Sequence, residues 1–244
     1  MTTRTPTRRF ALLAVLALSL TAGGCVLTRQ SNPIQVFAPV IQVQAEEDWP
    51  EVDWQLLVVR PNADQMHDSQ RILVRPVANR LQVYRGASWS DTLPDMLHSI
   101  LLRAFEDSGR IDSVTRQSTN IRSRFALTLD IRSFEAVYDE AGLAPAADVH
   151  IHAKLIHSPT TRVIASRTFR HWHRSGGTDT DSVVDAFSEA TREFVSELVG
   201  WTLVEGENAG PRLAAWREQR MAERAEERRS RGAPEEREDG PGED

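Results

Sequence analysis

The sequence predicts an α/β fold of a single domain: a mixed β-sheet covered by two main amphipathic helices, with an N-terminal signal and tether and a charged C-terminal tail. Three observations predict it. Segments whose apolar residues alternate with a period of two are interleaved with two stretches of helical period. Nearly all of these periodic segments lie in the middle of the chain. Both ends differ from that middle in composition, so of 244 residues with 40% hydrophobic content roughly 150 are expected to fold around one core.

The first segment, residues 1–24, reads as a lipoprotein signal peptide. Arg4, Arg8 and Arg9 form a positive start. Phe10 to Leu20 form an apolar stretch too short to span about 30 Å of hydrocarbon. Thr21, Ala22, Gly23 and Gly24 lead into Cys25, a run that resembles a lipobox, with Ala22 where leucine is usual. Cys25 is the only cysteine, which excludes an internal disulfide and any CxxC motif. The expectation is cleavage before Cys25 and a covalent lipid on its sulfur, with no other cofactor. An ordinary secretory signal cut near Ala22 or Gly24 is the competing reading. Each buried methylene contributes roughly 0.8 kcal/mol and a single chain binds only marginally, so two or three acyl chains make a durable anchor. By resemblance to other bacterial lipoproteins, Val26 in place of an aspartate implies the outer membrane rather than the inner one. Residues 25–49, polar and holding Pro33 and Pro39, are expected to form a tether, with short pairing around Ile34 to Phe37 or Val40 to Val43.

Residues 50–205 are expected to be the domain. Trp54 to Arg60 is a continuous apolar run ended by Pro61, which suits a central strand buried on both faces. Arg71 to Arg75 and Leu81 to Arg85 flank Pro76 and Asn79 and read as a hairpin. Leu93, Met96, Leu97, Ile100, Leu101, Ala104 and Phe105 share one face of a helix, capped by Ser90 or Asp91 and ended by Gly109. Ile111 to Arg116 suits a short strand. Phe125, Leu127, Leu129 and Ile131 alternate with polar residues, and Phe134 and Val137 extend that strand past a bulge. Asp148 to His157 and Arg162 to Trp172 alternate around a Ser158–Thr161 loop, hence a second hairpin. From Asp181 to Leu203, Val184, Phe187, Ala190, Phe194, Val195, Leu198 and Trp201 line the second helix, capped by Asp179 or Thr180. Residues 206–244 are the charged tail, helical to about Arg229 through i,i+4 charge pairs and rich in Gly, Pro and acids from Ser230.

The net charge of −6, with Arg and Glu interleaved in the tail, gives no electrostatic reason to expect nucleic acid. His150 and His152 share one strand face, as do His171 and His173 on the next. One register would gather four imidazoles, and a slip of one residue would part them; without recognisable orienting partners, no metal site is expected. Ser88, Ser90 and Asp91 beside Trp89 lack any nucleophile-elbow or phosphate-loop context and read as a helix cap, so no catalytic residue is assigned and no enzyme activity is expected. Trp89 and Tyr84 read as core aromatics, with subunit contact as the functional alternative.

These residues carry a resemblance to a family. The first strand before Arg60-Pro61, Arg71-Ile72, Tyr84, Ala87-Ser88-Trp89-Ser90-Asp91 with Pro94 and Leu97, Phe134-Glu135, and the last helix from Asp185-Ala186-Phe187 through Ala190 to Trp201 resemble the ABC-type transport auxiliary lipoproteins. That family includes the paraquat-inducible protein C component. The resemblance implies that residues 50–205 form an auxiliary lipoprotein domain on the periplasmic face of the envelope. It implies a membrane-anchored accessory working beside MCE-type periplasmic transporter subunits, in a system that moves lipids or hydrophobic compounds between inner and outer membranes. A lipid-binding chaperone and a structural or assembly lipoprotein with homo-oligomer contacts are the alternatives. The segment before Leu56 and the tail after Gly206 depart from the family pattern.

Overall fold

The computed structural model describes residues 33–116, 122–139 and 144–232. Cys25 and the signal segment 1–24 lie outside the described residues, as does most of the acidic end of the tail. From Gln35 onward the chain forms one compact unit. Its strands are β1 (Gln35–Phe37), β2 (Val52–Val58), β3 (Arg71–Val77), β4 (Arg80–Trp89), β5 (Ile111–Thr115), β6 (Phe125–Val137), β7 (Ala146–His157) and β8 (Arg162–Arg174). Its helices are α1 (Leu93–Asp107), between β4 and β5, and α2 (Thr180–Glu207) and α3 (Ala209–Gly232), which follow β8.

The strands form one mixed sheet with β6 as its spine. One edge of β6 pairs along its length with antiparallel β7, and β8 closes that side. The other edge is shared by two parallel strands, β2 beside Phe125–Leu127 and β3 beside Glu135–Val137. Pro61 has no N–H to give the ladder and ends the first of these strands. Asn62 then bridges the gap, its N–H donating to the Leu129 carbonyl at 2.9 Å and its carbonyl accepting from Ile131 N–H at 2.8 Å. β4 returns antiparallel to β3, β1 lies parallel outside β4, and β5 lies parallel outside β2.

Helices cover one face only. α1 packs on β2 and β5, and α2 on β6, β7 and β8. Leu127, Val149, Ile151, Ala153 and Leu155 point into this layer and are fully buried. Phe134 stacks on Phe187 with centroids 4.8 Å apart, Trp89 meets Phe187 edge-on at 5.5 Å, and Phe169 meets Phe194 and Trp201 edge-on. Such pairs add about 0.5–1.5 kcal/mol each beyond their buried area.

Four expectations change. β2 is central, but it alternates between buried and partly exposed residues rather than being covered on both faces, because among the described residues no helix packs on the second face along β2. The N-cap of α1 is Thr92 rather than Ser90 or Asp91; Asp91 instead accepts the Thr92 N–H through its side chain at 2.8 Å. The tether expected over 25–49 gives way to folded structure at Gln35: β1 pairs with β4, and Ile41, Val43 and Trp49 enter the core. The start of the expected tail is also packed, with Ala209 and Leu213 buried and Arg162 lying over the Trp216 ring at 5.3 Å. The caps Asp179 on α2 and Gly109 after α1 stand as expected, the latter at φ +62°.

Candidate functional site

The uncovered face of the sheet gathers the polar side chains. A bulge between Ile131 and Ser133 shifts the alternation of β6, turning Phe134 toward the helices and Ser133 and Glu135 to the open side. Glu135 faces Asp148 directly across the β6–β7 ladder, and Asp148 faces Trp172 on β8. Ser133, His150 and Arg170 form the next row.

Two opposed carboxylates would repel, and each is met by a guanidinium. Arg75 Nη2 donates to Glu135 Oε1 at 2.8 Å, and Ser133 Oγ donates to the same oxygen at 3.0 Å. Arg170 grips Asp148 through Nε at 2.8 Å and Nη2 at 3.2 Å. The carboxylates form the floor: the side chains of Glu135 and Asp148 are 5% and 7% exposed, against 30% for Arg75 and 62% for Arg170. Hydrogen bonding to Asp148 raises the Arg170 pKa further. Glu135 Oε2 is buried with no partner among the described residues.

The four strand histidines do not converge. His150 pairs with Arg170 while His171 pairs with Val149, so His150 and His152 lie on the open face and His171 and His173 on the helix side. His152 Nδ1 is 2.8 Å from Thr168 Oγ1. His171 contacts Glu197 at 2.9 Å and Glu193 at 3.3 Å on α2, and Glu197 also pairs with Arg167. Among the described residues no group of three or more His, Cys, Asp or Glu is arranged to hold a metal ion.

At the end of β2, Arg60 ties three segments together. It holds Asp95 of α1 by Nε at 2.7 Å and Nη2 at 3.0 Å, Asp68 of the loop between β2 and β3 at 2.8 Å, and Thr92 at 3.2 Å. Hydrogen bonds from Arg60 first and Thr92 second pull the Asp95 carboxyl down to about 2. Nearby, the Val58 carbonyl accepts from His98 Nε2 at 2.9 Å, which fixes the proton on that nitrogen. This network fastens α1 to the sheet.

Trp89 is a core residue, 1% exposed; Ser90 N–H donates to the Phe37 carbonyl at 2.8 Å. Tyr84 is partly buried, and burial raises its phenol pKa, with Tyr138 adding to the effect. A cavity of about 640 Å³ lies between Val40–Gln44 and α2, walled by Gln42, Gln44, Arg192, Glu193 and Ser196. Val40 and Val43 add apolar surface to that wall, so it mixes polar and apolar groups. Among the described residues, no helix is long and apolar enough to cross a membrane.

The sequence missed the carboxylate–arginine floor, whose partners lie up to 60 residues apart. Its one local trace is Glu135 breaking the apolar run Phe134–Val137.

Fold and site together define a two-layer α/β module that presents a charged sheet face. Residues 35–199 match the ABC-type transport auxiliary lipoprotein component family, and the chain belongs to that family. The crystal structure of protein XCC0632 from Xanthomonas campestris is similar, with 45% identity, a TM-score of 0.68, and coverage of 71% of this chain and 98% of that one. A crystal structure of an uncharacterized protein shares the fold at 12% identity and a TM-score of 0.52, over 68% of this chain and 97% of that one. The uncharacterized protein bll6063 of Bradyrhizobium diazoefficiens is 25% identical over 149 residues, 61% of this chain. That stretch spans only 39% of the relative's length.

Proposed function

We propose that the protein is a non-enzymatic, membrane-anchored accessory of an ABC transport system with MCE-type periplasmic subunits, moving lipids or hydrophobic compounds between the two membranes. The family supports the accessory lipoprotein role. The observation that carries the anchor is spacing: the folded unit opens at Gln35, ten residues after Cys25. Acyl chains on Cys25 hold one end at the bilayer, on the periplasmic face and by Val26 at the outer membrane, and the module docks on its transporter partners.

Metabolic labelling with a lipid precursor tests the anchor: label enters the wild type and is lost in Cys25→Ala. Co-purification of an MCE-type subunit under conditions that keep the complex intact tests the partnership. Absence of that subunit counts against the transport reading while leaving the anchor standing.

A further inference from the structure

We infer that the uncovered face of the sheet rests on anionic phospholipid headgroups. The inference builds on the lipid-anchor reading and gives the domain an orientation. Arg132, Lys154 and Arg170 come from three adjacent strands and open to solvent on this face. The carboxylates that balance Arg75 and Arg170 lie beneath them, so the surface offers guanidinium N–H groups outward; Arg170 Nη1 makes no bond to Asp148. Asp130, 53% exposed and 4.0 Å from Arg132 Nε, and Asp139, 32% exposed and paired with Arg174, are carboxylates that solvent reaches beside this patch. On the helix side, Glu189, Glu197 and Glu205 of α2 are paired with Arg192, Arg167 and Arg212.

Two features favour a bilayer over an acidic protein as the occupant. The cations are spread over an open sheet rather than gathered in a pocket, which suits a planar array of phosphates. Trp172 borders them, 47% exposed, with Arg174, itself paired with Asp139, over its ring at 5.4 Å, and an exposed amphipathic indole suits the headgroup level. Chain length adds a third constraint. Phe37 pairs with core Trp89, so Val36 faces the open side, 63% exposed. Ten residues from Cys25 to Gln35 allow a reach of at most roughly 36 Å.

The test uses protein purified from cell envelopes, placed in vesicles with brominated chains, either phosphatidylethanolamine with phosphatidylglycerol or phosphatidylcholine alone. The expected result is tryptophan quenching in the anionic vesicles that disappears in Trp172→Phe and in the exposed double variant Arg132→Gln/Lys154→Gln, both checked for native circular dichroism. Equal quenching in both lipids, quenching unchanged in the variants, or none from Trp172 overturns the inference. The mass of the Cys25 peptide reports acylation separately. Quenching without acylation supports the face and removes the anchor; acylation without quenching does the opposite.

Discussion

Glu135 and Asp148 oppose one another across the β6–β7 ladder, each buried and each held by an arginine from a different strand. Removing one arginine therefore leaves two carboxylates facing each other with a single cation between them. Arg170→Met is expected to cost about 1–3 kcal/mol, toward the lower end because solvent reaches Arg170. Urea midpoints measure the loss, and Asp148→Asn added to Arg170→Met should restore part of it.

Gly200 and Gly206 each lie under a tryptophan. A Cβ on Gly200 would come within 2.5 Å of Trp49 Nε1, and one on Gly206 would strike the Trp54 ring. In a free helix Gly→Ala stabilises by about 1 kcal/mol. Here the sign reverses: Gly200→Ala should lower the thermal midpoint, with a loss of about 1–3 kcal/mol from overpacking. A rise in the midpoint would show that Trp49 gives way freely.

Acid stability depends on Asp95. Its carboxyl is held at about 2 rather than 3.8, so the native state gains from its ionisation above the ordinary value and loses that gain as pH falls toward about 2. Asp95→Asn and Arg60→Met should each flatten the dependence of denaturant midpoint on pH between those two values.

Desolvation first, and neighbouring cations second, hold His150 and His152 below the ordinary 6.5. The neutral rings favour the folded state, a contribution present above pH 6.5 and lost as pH falls through the lowered values. Histidine resonances followed by NMR should titrate below 6.5, and Arg132→Gln should move both midpoints upward.

Most of the fold was legible because its signals are local. The alternation in Phe125–Ile131, the Ser158–Thr161 loop, and the apolar stripes of α1 and α2 identified their elements without tertiary context. The segment Gln35–Trp49 was read as tether with only short pairing because its alternation, Ile41 and Val43 buried beside exposed Gln42 and Gln44, is brief and set among Pro33, Pro39 and polar residues. That stretch is irregular chain, and its burial depends on packing beside α2, which a short alternation does not reveal.

By itself the sequence determined most of the elements, the Gly109 helix end and the two hairpins, since each rests on residues close together in the chain, and it narrowed the α2 cap to Asp179 or Thr180. Only the tertiary structure decided which face of the sheet stays bare, where the four histidines fall, and that Glu135 meets Asp148. Those outcomes turn on the bulge after Ile131 and the β7–β8 register. With side chains alternating every residue, a shift of one position moves a whole row to the other face.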